Sequence, residues 1–274
     1  MNRLQDGDLD LLSAFAHRKW GLSIDAKKRV IVENRIHSLQ RDYPIESVKS
    51  LVKDIERGQA QALELALFDV LSTNHTSFFR EDVHYDLIVN DILKPARRRS
   101  KGLRIWSAGC SRGCEPYTLS ILLQEILEKP KMRDDRILAT DLSTGALAAA
   151  RLGVYTQQEV HGVTPARLRT FFQEVDHRGS KGYQIAPRLR DIVSFNMLNL
   201  LDPWPMKGPF DVVLCRNVMI YFDTPTRKAL AQRFLKLLRP GGLFFVGTSE
   251  SLNGYALDVE QLMVGAYRKP GGIA

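Results

Sequence analysis

The stretch SAGCSRGCEPYTLS, residues 107–120, decides how the rest of the chain is read. A short apolar run, LRIW, leads into it; Gly109 and Gly113 make a turn; then Leu119, Leu122, Leu123, Ile126 and Leu127 form one apolar stripe at helical spacing. Strand, glycine turn and helix in that order open a nucleotide-binding α/β unit. A dinucleotide fingerprint would need G-x-G-x-x-G, which brings backbone amides onto a pyrophosphate. This loop lacks one glycine and carries Glu115 where a phosphate would lie, a repulsive pairing at short range. A cationic nucleotide cofactor without phosphates suits it better.

Downstream of residue 100 the pattern continues as short apolar runs alternating with amphipathic segments: RILAT, a helix from Ser143, IVSF, FDVVLC, a helix from about Thr224, and LFFVGT. This predicts a mostly parallel sheet covered on both faces. LRPGG, 238–242, reads as the stop between the last helix and its strand. Residues 154–190 break the alternation with Gly179, Gly182 and Pro187 and hold YQI as a short strand, so they read as an insertion. Residues 1 to about 70 are helical in pattern, with Leu9, Leu12, Phe15 and Ala16 on one face. Between the two regions, LSTNHTSFFRED, 71–82, reads as a polar loop bearing two exposed aromatics.

The bulk numbers narrow the function classes. In 274 residues no apolar run approaches the roughly 18–20 needed to cross a bilayer, and MNRLQDGDLD is too polar for a signal peptide, so a cytoplasmic protein is expected. Three cysteines, without histidines nearby, predict neither a disulfide framework nor a metal site. A net charge of +8 predicts attraction to an anionic partner, nucleic acid or an acidic protein surface. S-adenosylmethionine, with a sulfonium and an ammonium that a carboxylate can pair, answers the chemistry of the 107–120 loop. Asp141, at the end of RILATD, stands where an acid accepts hydrogen bonds from ribose hydroxyls, although it could equally cap the next helix.

With these residues assembled, the chain resembles the CheR family of chemotaxis receptor methyltransferases over nearly its whole length. The strings that carry the resemblance are TNHTSFFRE (73–81), WSAGCSRGCEPYTL (106–119), NLL (199–201) and FDVVLCRNVMIYFD (210–223). The resemblance implies a class I S-adenosylmethionine-dependent methyltransferase, Rossmann-like in fold. It would have an amino-terminal helical domain (1–70), a linker contributing to the cofactor site (71–90) and a methyltransferase domain (91–274) with a small β subdomain inserted at about 154–190. Its activity would be methyl transfer to glutamate side chains on the cytoplasmic helices of chemoreceptors, leaving S-adenosylhomocysteine. Carried over by motif, Asn74, Thr76 and Arg80 would reach the cofactor from the linker, and Glu115 and Asp141 would hold its amino tail and adenosine. Asn199 and Leu200 would frame the adenine, Arg216 and Asn217 would lie beside the methyl donor, and Tyr221 would face the reacting groups. One departure is Cys114, where a second Glu is expected next to Glu115.

A glutamate carboxylate, with a reference pKa of about 4.3, is already ionised at neutral pH, so this chemistry needs no general base. Arg80 or Arg216 is expected to orient the acceptor and Tyr221 to donate a hydrogen bond to it. Lys28 and Arg35, seven apart and on one helical face, are the candidate docking residues for an acidic receptor helix. A receptor's carboxyl-terminal peptide is a further expected partner, through the inserted subdomain, and a monomer is expected. Two other readings compete. A nucleic-acid methyltransferase would need Pro-Pro-aromatic or Pro-Cys chemistry at the fourth strand, where this chain has LCRNVMIYF, and only ARRR at 96–99 clusters its basic residues. A non-catalytic cofactor-binding adaptor would keep the same binding residues without turnover.

Overall fold

The structure, a computed structural model, describes residues 6–24, 29–72, 75–98, 101–127, 133–177 and 179–271. Its amino-terminal part is four helices: α1 (Asp6–Trp20), α2 (Arg29–Asp42), α3 (Val48–Glu56) and α4 (Gln61–Leu71). Helix α3 shows why they form. Ser47 accepts from the Ser50 amide while the Ser50 hydroxyl accepts from the Ser47 amide, and Val48, Leu51, Val52 and Ile55 bury one stripe. Those residues meet Leu12, Phe15 and Ala16 of α1 and Leu67 of α4 in one core. Trp20 closes it, edge-on to Phe15 and Phe68 with ring centroids 5.3 and 5.5 Å away.

The chain then crosses to a second unit through α5 (Val83–Ile88), which runs on through a π turn (Val89–Leu93) into α6 (Lys94–Ala96). Next come β1 (Arg104–Ala108), α7 (Cys114–Ile126), β2 (Arg136–Asp141) and α8 (Thr144–Leu152). Residues 154–190 follow as β3 (Val154–Thr156), α9 (Pro165–Phe171), β4 (Phe172–His177), β5 (Ser180–Ile185) and α10 (Pro187–Arg190). The main sheet resumes with β6 (Val193–Met197), β7 (Phe210–Cys215), α11 (Thr224–Leu237), β8 (Leu238–Val246), β9 (Glu260–Met263) and β10 (Ala266–Arg268).

The main sheet has the order β6-β2-β1-β7-β8-β10-β9, parallel through β8 and antiparallel in its last two strands. Successive side chains serve opposite faces, as strand geometry requires. Ile105, Val212, Leu214, Leu243 and Phe245 pack under α5 to α7, while Trp106, Val213, Cys215, Phe244 and Val246 pack under α11. Trp106 anchors the second face, with Trp204, Phe210 and Phe234 rings 4.9 to 5.5 Å away, and its ring N–H donates to Thr140 Oγ1 at 2.9 Å. The smaller sheet, β3-β5-β4, is antiparallel.

Three sequence expectations change here. LRPGG does not stand between helix and strand: it forms the start of β8, with Pro240 and Gly241 at a register irregularity opposite Phe210 and Val212. The antiparallel hairpin of β9 and β10 lay outside the expected alternation. The aromatics at 78 and 79 are not both exposed: Phe78 is 1% exposed, stacked edge-on against Tyr155 and Phe172. Phe78 packs between Cys114 and Tyr117 of α7 on one side and Tyr155 and Phe172 of the small sheet on the other, and the Phe79 amide donates to Thr118 Oγ1 at 3.2 Å.

Candidate active site

Strands β1 and β7 lie side by side, yet the chain leaves β1 toward β2 and leaves β7 toward β8. This reversal opens a crevice at their carboxyl ends. The loop after β1 is pinned to β2, since the Gly109 and Cys110 amides both donate to Thr140 O at 2.7 and 2.9 Å. Gly109, at φ +81, lies so close to the loop after β7 that a Cβ there would collide with Val218 Cγ2. Between the two loops is a cavity of about 280 Å³. Thr76, Arg80, Glu115, Asp141, Asn199, Leu200, Arg216, Asn217 and Tyr221 all line it. Asn74 lies outside the described residues.

One end of the cavity is charged. Arg216, its side chain 3% exposed, bonds Glu115 Oε2 (3.2 Å) and the Tyr85 hydroxyl (3.1 Å) through Nη1, and Glu81 Oε2 (3.0 Å) and the Arg80 carbonyl through Nη2. Its Nε is buried without a partner. Burial pushes the Glu115 carboxyl above the usual range, although Arg216 and the Ser107 hydroxyl (2.7 Å) pull the other way. At Glu81 burial also pushes upward, but Arg216 and Asn217 outweigh it and hold the carboxyl below the usual range.

Sequence reasoning missed Glu81, Tyr85 and Glu250. Glu81 follows Arg80 in the linker string, but only the fold brings it to the ends of β7 and β8, where it accepts from Asn217 Nδ2 (3.4 Å) and from the Thr248 amide and hydroxyl (3.2 Å each). Glu250, 7% exposed, accepts from the Asn217 and Ile220 amides at 2.9 Å and from the Gly247 amide. It thereby shapes the 217–220 turn, in which Asn217 sits at φ +59. The available signal was an acid just past the carboxyl end of a buried strand.

The other end is apolar, walled by Leu142, Leu198, Leu200, Val218 and Phe222, with Trp20, Leu22 and Phe68 from the amino-terminal helices. Asp141 faces it and accepts from the Ser111 amide (2.7 Å) and the Ser143 amide (2.9 Å), so it ties the glycine loop to the start of α8. Burial raises its pKa, and these two amides oppose the rise. Asn199 bridges the two units: its Nδ2 donates to Lys19 O at 3.3 Å and its Oδ1 accepts from the Leu201 amide at 3.1 Å.

Arg35, an expected docking residue, lies away from the cavity. Arg35 sends Nη1 to the carbonyls of Leu71 and Ser72 (3.1 and 3.2 Å), satisfying the end of α4. Lys28 is outside the described residues. Cys114, beside Glu115, points away from the cavity into the core under the small sheet, with Phe78, Tyr117 and Tyr155. All three cysteines are buried and free. Among the described residues no helix is long and apolar enough to cross a membrane.

The residues present fit S-adenosylmethionine. Two carboxylates around one guanidinium leave an excess of negative charge for a cation, Glu115 occupies the place a pyrophosphate would need, and an apolar slot for a base adjoins Asp141. Fold and cavity define the class: a class I S-adenosylmethionine-dependent methyltransferase. Comparison with known proteins carries this further. The family model "CheR methyltransferase, SAM binding domain" matches residues 74–267. A probable chemotaxis protein methyltransferase of Rhizobium etli is 33% identical over 90% of this chain and 94% of its own length. The chemotaxis protein methyltransferase of Borreliella burgdorferi is 34% identical (96% and 94%), and chemotaxis protein methyltransferase 1 of Pseudomonas aeruginosa 35% (90% and 91%). The chain belongs to the CheR methyltransferase family.

Proposed function

We propose that this enzyme transfers the methyl group of S-adenosylmethionine to glutamate side chains on the cytoplasmic helices of chemoreceptors, forming methyl esters. The observation that carries the reading is the closed-off charged end of the cavity, where an arginine is consumed by two acids and a second arginine, Arg80, is not buried with it.

S-adenosylmethionine supplies, when bound, an activated methyl group on a sulfonium. Glu115 and Asp141 would hold its amino tail and its ribose, Asn199 and Leu200 its adenine, and Thr76, with Asn74 from the same linker, its methionine part. Both terminal nitrogens of Arg216 are engaged, by Glu81, Glu115, Tyr85 and the Arg80 carbonyl, and its remaining donor, Nε, is buried. Orientation of the incoming carboxylate therefore falls to Arg80, half-exposed on the cavity wall with Nη1 on the His75 carbonyl at 3.2 Å, and to the Tyr221 hydroxyl. Neither removes a proton, since the acceptor is ionised. A tight ion pair would favour the charged ground state over the charge-depleted transition state, so polar contacts that align the oxygen serve better.

A receptor's carboxyl-terminal peptide would add to the small sheet, whose edge strands are β3 and β4. The enzyme acts as a cytoplasmic monomer. Lys28 and Arg35 were expected to meet an acidic helix; Arg35 contributes there indirectly, by fixing the junction of α4 and the linker.

Incubation with methyl-labelled cofactor and chemoreceptor cytoplasmic fragments, beside tRNA and DNA controls, tests the reading. Label should enter the receptor fragment and leave on mild alkali, as a methyl ester does. Labelled nucleic acid, or cofactor binding without turnover on any fragment, would refute it. Tyr221→Phe should lower kcat by roughly tenfold with little change in cofactor affinity, the loss of one hydrogen bond made to the reacting groups.

A further inference from the structure

Arg112 is the one charged residue of the glycine loop, 109–113, and it does not line the cofactor cavity. Ser111 is left-handed at φ +48, and across that kink the loop passes from one cavity to another: Gly109, Cys110 and Ser111 line the cofactor cavity, Arg112 a second one of about 430 Å³. This second cavity lies between the linker, the end of α8 and the small sheet, with Leu152, Thr156 and His177 on its wall. His75 and Thr76 line both cavities, so the linker is their common wall.

Arg112 is held in place without being used up. Its Nε donates to Glu159 Oε1 at 2.6 Å, and its carbonyl accepts from the Tyr155 hydroxyl at 2.9 Å. Glu159 is engaged from its other side as well, Oε2 accepting from the Thr156 amide and hydroxyl at 2.8 and 2.9 Å. Among the described residues Nη1 and Nη2 of Arg112 bond nothing, and the side chain stays 33% exposed. A guanidinium anchored through Nε, with both terminal nitrogens open to a cavity, has the geometry that takes a carboxylate end-on. What lies across the wall indicates whose carboxylate. Arg80, assigned above to the acceptor, has Nη1 on the His75 carbonyl at 3.2 Å, so the residue shared by both cavities is bonded to the arginine that meets the incoming acid. An acceptor helix that offers one acid to Arg80 extends past His75 toward Arg112, and on a helix side chains three and four positions apart share a face. The net charge of +8 suits a partner with more than one acid on that face.

We propose that the second cavity is an acceptor subsite, in which Arg112, through Nη1 and Nη2, takes a second carboxylate from the acceptor helix, three or four residues from the glutamate that is methylated. Arg112 is then a specificity-determining residue that selects acceptors with a further acid on the same face. The proposal rests on the functional reading above and adds a sequence preference to it.

Methyl transfer by the full chain to two chemoreceptor fragments tests it. The fragments differ only at the positions three and four residues to either side of the methylated glutamate, which are Asp in one and Asn in the other, alike in size and different in charge. The native enzyme should show a KM about tenfold lower for the Asp fragment at similar kcat, the scale of one charge-assisted pair made equally in ground and transition states. Arg112→Gln should bring the two KM values within about twofold of each other, whereas Arg112→Lys keeps part of the difference. A general disturbance of the glycine loop would instead raise both KM values and leave their ratio native. Equal KM values for the native enzyme, or a native ratio in Arg112→Gln, would overturn the proposal, and the first outcome does so even if the variant fails to fold. Native enzyme that methylates neither fragment would defeat the functional reading rather than the subsite.

Discussion

At the scale of single residues, the site depends on buried acids that accept from backbone amides. Glu250 takes three of them, from Asn217, Ile220 and Gly247. Glu250→Ala strands those donors, one buried and two partly buried, at about 1–3 kcal/mol for a buried group left unpaired. The total should approach ~3 kcal/mol after partial rehydration, read as a shifted urea midpoint, and the relaxed 217–220 turn should lose cofactor affinity as well. A variant with native stability and affinity would show the amides to be satisfied otherwise. His84 gives a pH signature. It is fully buried, with Nε2 on the Val264 carbonyl at 2.9 Å and Nδ1 without a hydrogen bond, 3.6 Å from Glu81. Burial lowers its pKa, with Arg216 adding to the effect while the Val264 carbonyl and Glu81 oppose it. A base whose folded pKa is depressed takes up its proton more readily when unfolded, so its contribution is intact above its unfolded pKa of about 6.5 and is lost as pH falls below that value. Denaturation midpoints measured between neutral pH and about pH 5 should fall for the native chain and fall less for His84→Gln. Equal slopes would remove His84 as the cause.

At the scale of elements, the linker and the inserted small sheet behave as one packed body around the glycine loop. Glu159, in the turn after β3, pairs with Arg112 at 2.6 Å, its carbonyl accepts from the Phe78 amide at 2.9 Å, and the Tyr155 hydroxyl donates to the Arg112 carbonyl at 2.9 Å. Phe78 fills the joint. Phe78→Ala should cost about 3–5 kcal/mol, as large-to-small changes at buried aromatics do, and Phe78→Leu less. Both should weaken cofactor binding in step with the stability loss, because the same joint holds Thr76 and Arg80 over the cavity. Melting curves and cofactor titrations on the two variants check this, and a stability loss without an affinity loss would uncouple linker from site. These contacts also show what was legible in the sequence. The parallel core was, because Ile105 to Ala108 and Phe210 to Cys215 are short apolar runs next to turn residues, and the misfit of Glu115 with a phosphate follows from one side chain. Glu81, Tyr85 and Glu250 were not, because the partners that bring each to the site are remote in sequence: Arg216 and Thr248 for Glu81, Arg216 for Tyr85, Asn217 and Ile220 for Glu250. The β9 and β10 hairpin was missed since EQLM and AYR are too short to carry a period. Phe78 was misread because a polar neighbourhood in sequence says nothing of what the fold lays across it.

At the scale of the whole molecule, the cavity belongs to both units. Trp20, Leu22 and Phe68 of the helical part close a slot whose floor is the sheet edge, and the seam is bonded: the Ser23 amide donates to the Tyr221 carbonyl at 2.9 Å, Asn199 to the Lys19 carbonyl, and His17 meets Asp223 at 3.1 Å. Gly21, at φ +71, is needed there because a Cβ would overlap the Phe222 ring. A ligand in this slot touches two bodies, so its binding free energy opposes their separation as well as their unfolding. At a free concentration near a hundredfold the Kd the linkage is worth about 2.7 kcal/mol. Hydrogen exchange on the full chain, with and without S-adenosylhomocysteine, should therefore show added protection at the Ser23 amide and along the Lys19 to Leu22 segment, matching that at the 217–222 turn. Trp20→Ala, which opens the apolar wall, should keep the ligand's protection at the turn but lose most of it at Ser23. If ligand protects the sheet side alone in the native chain, the helical part is an independent docking unit rather than half of the binding site.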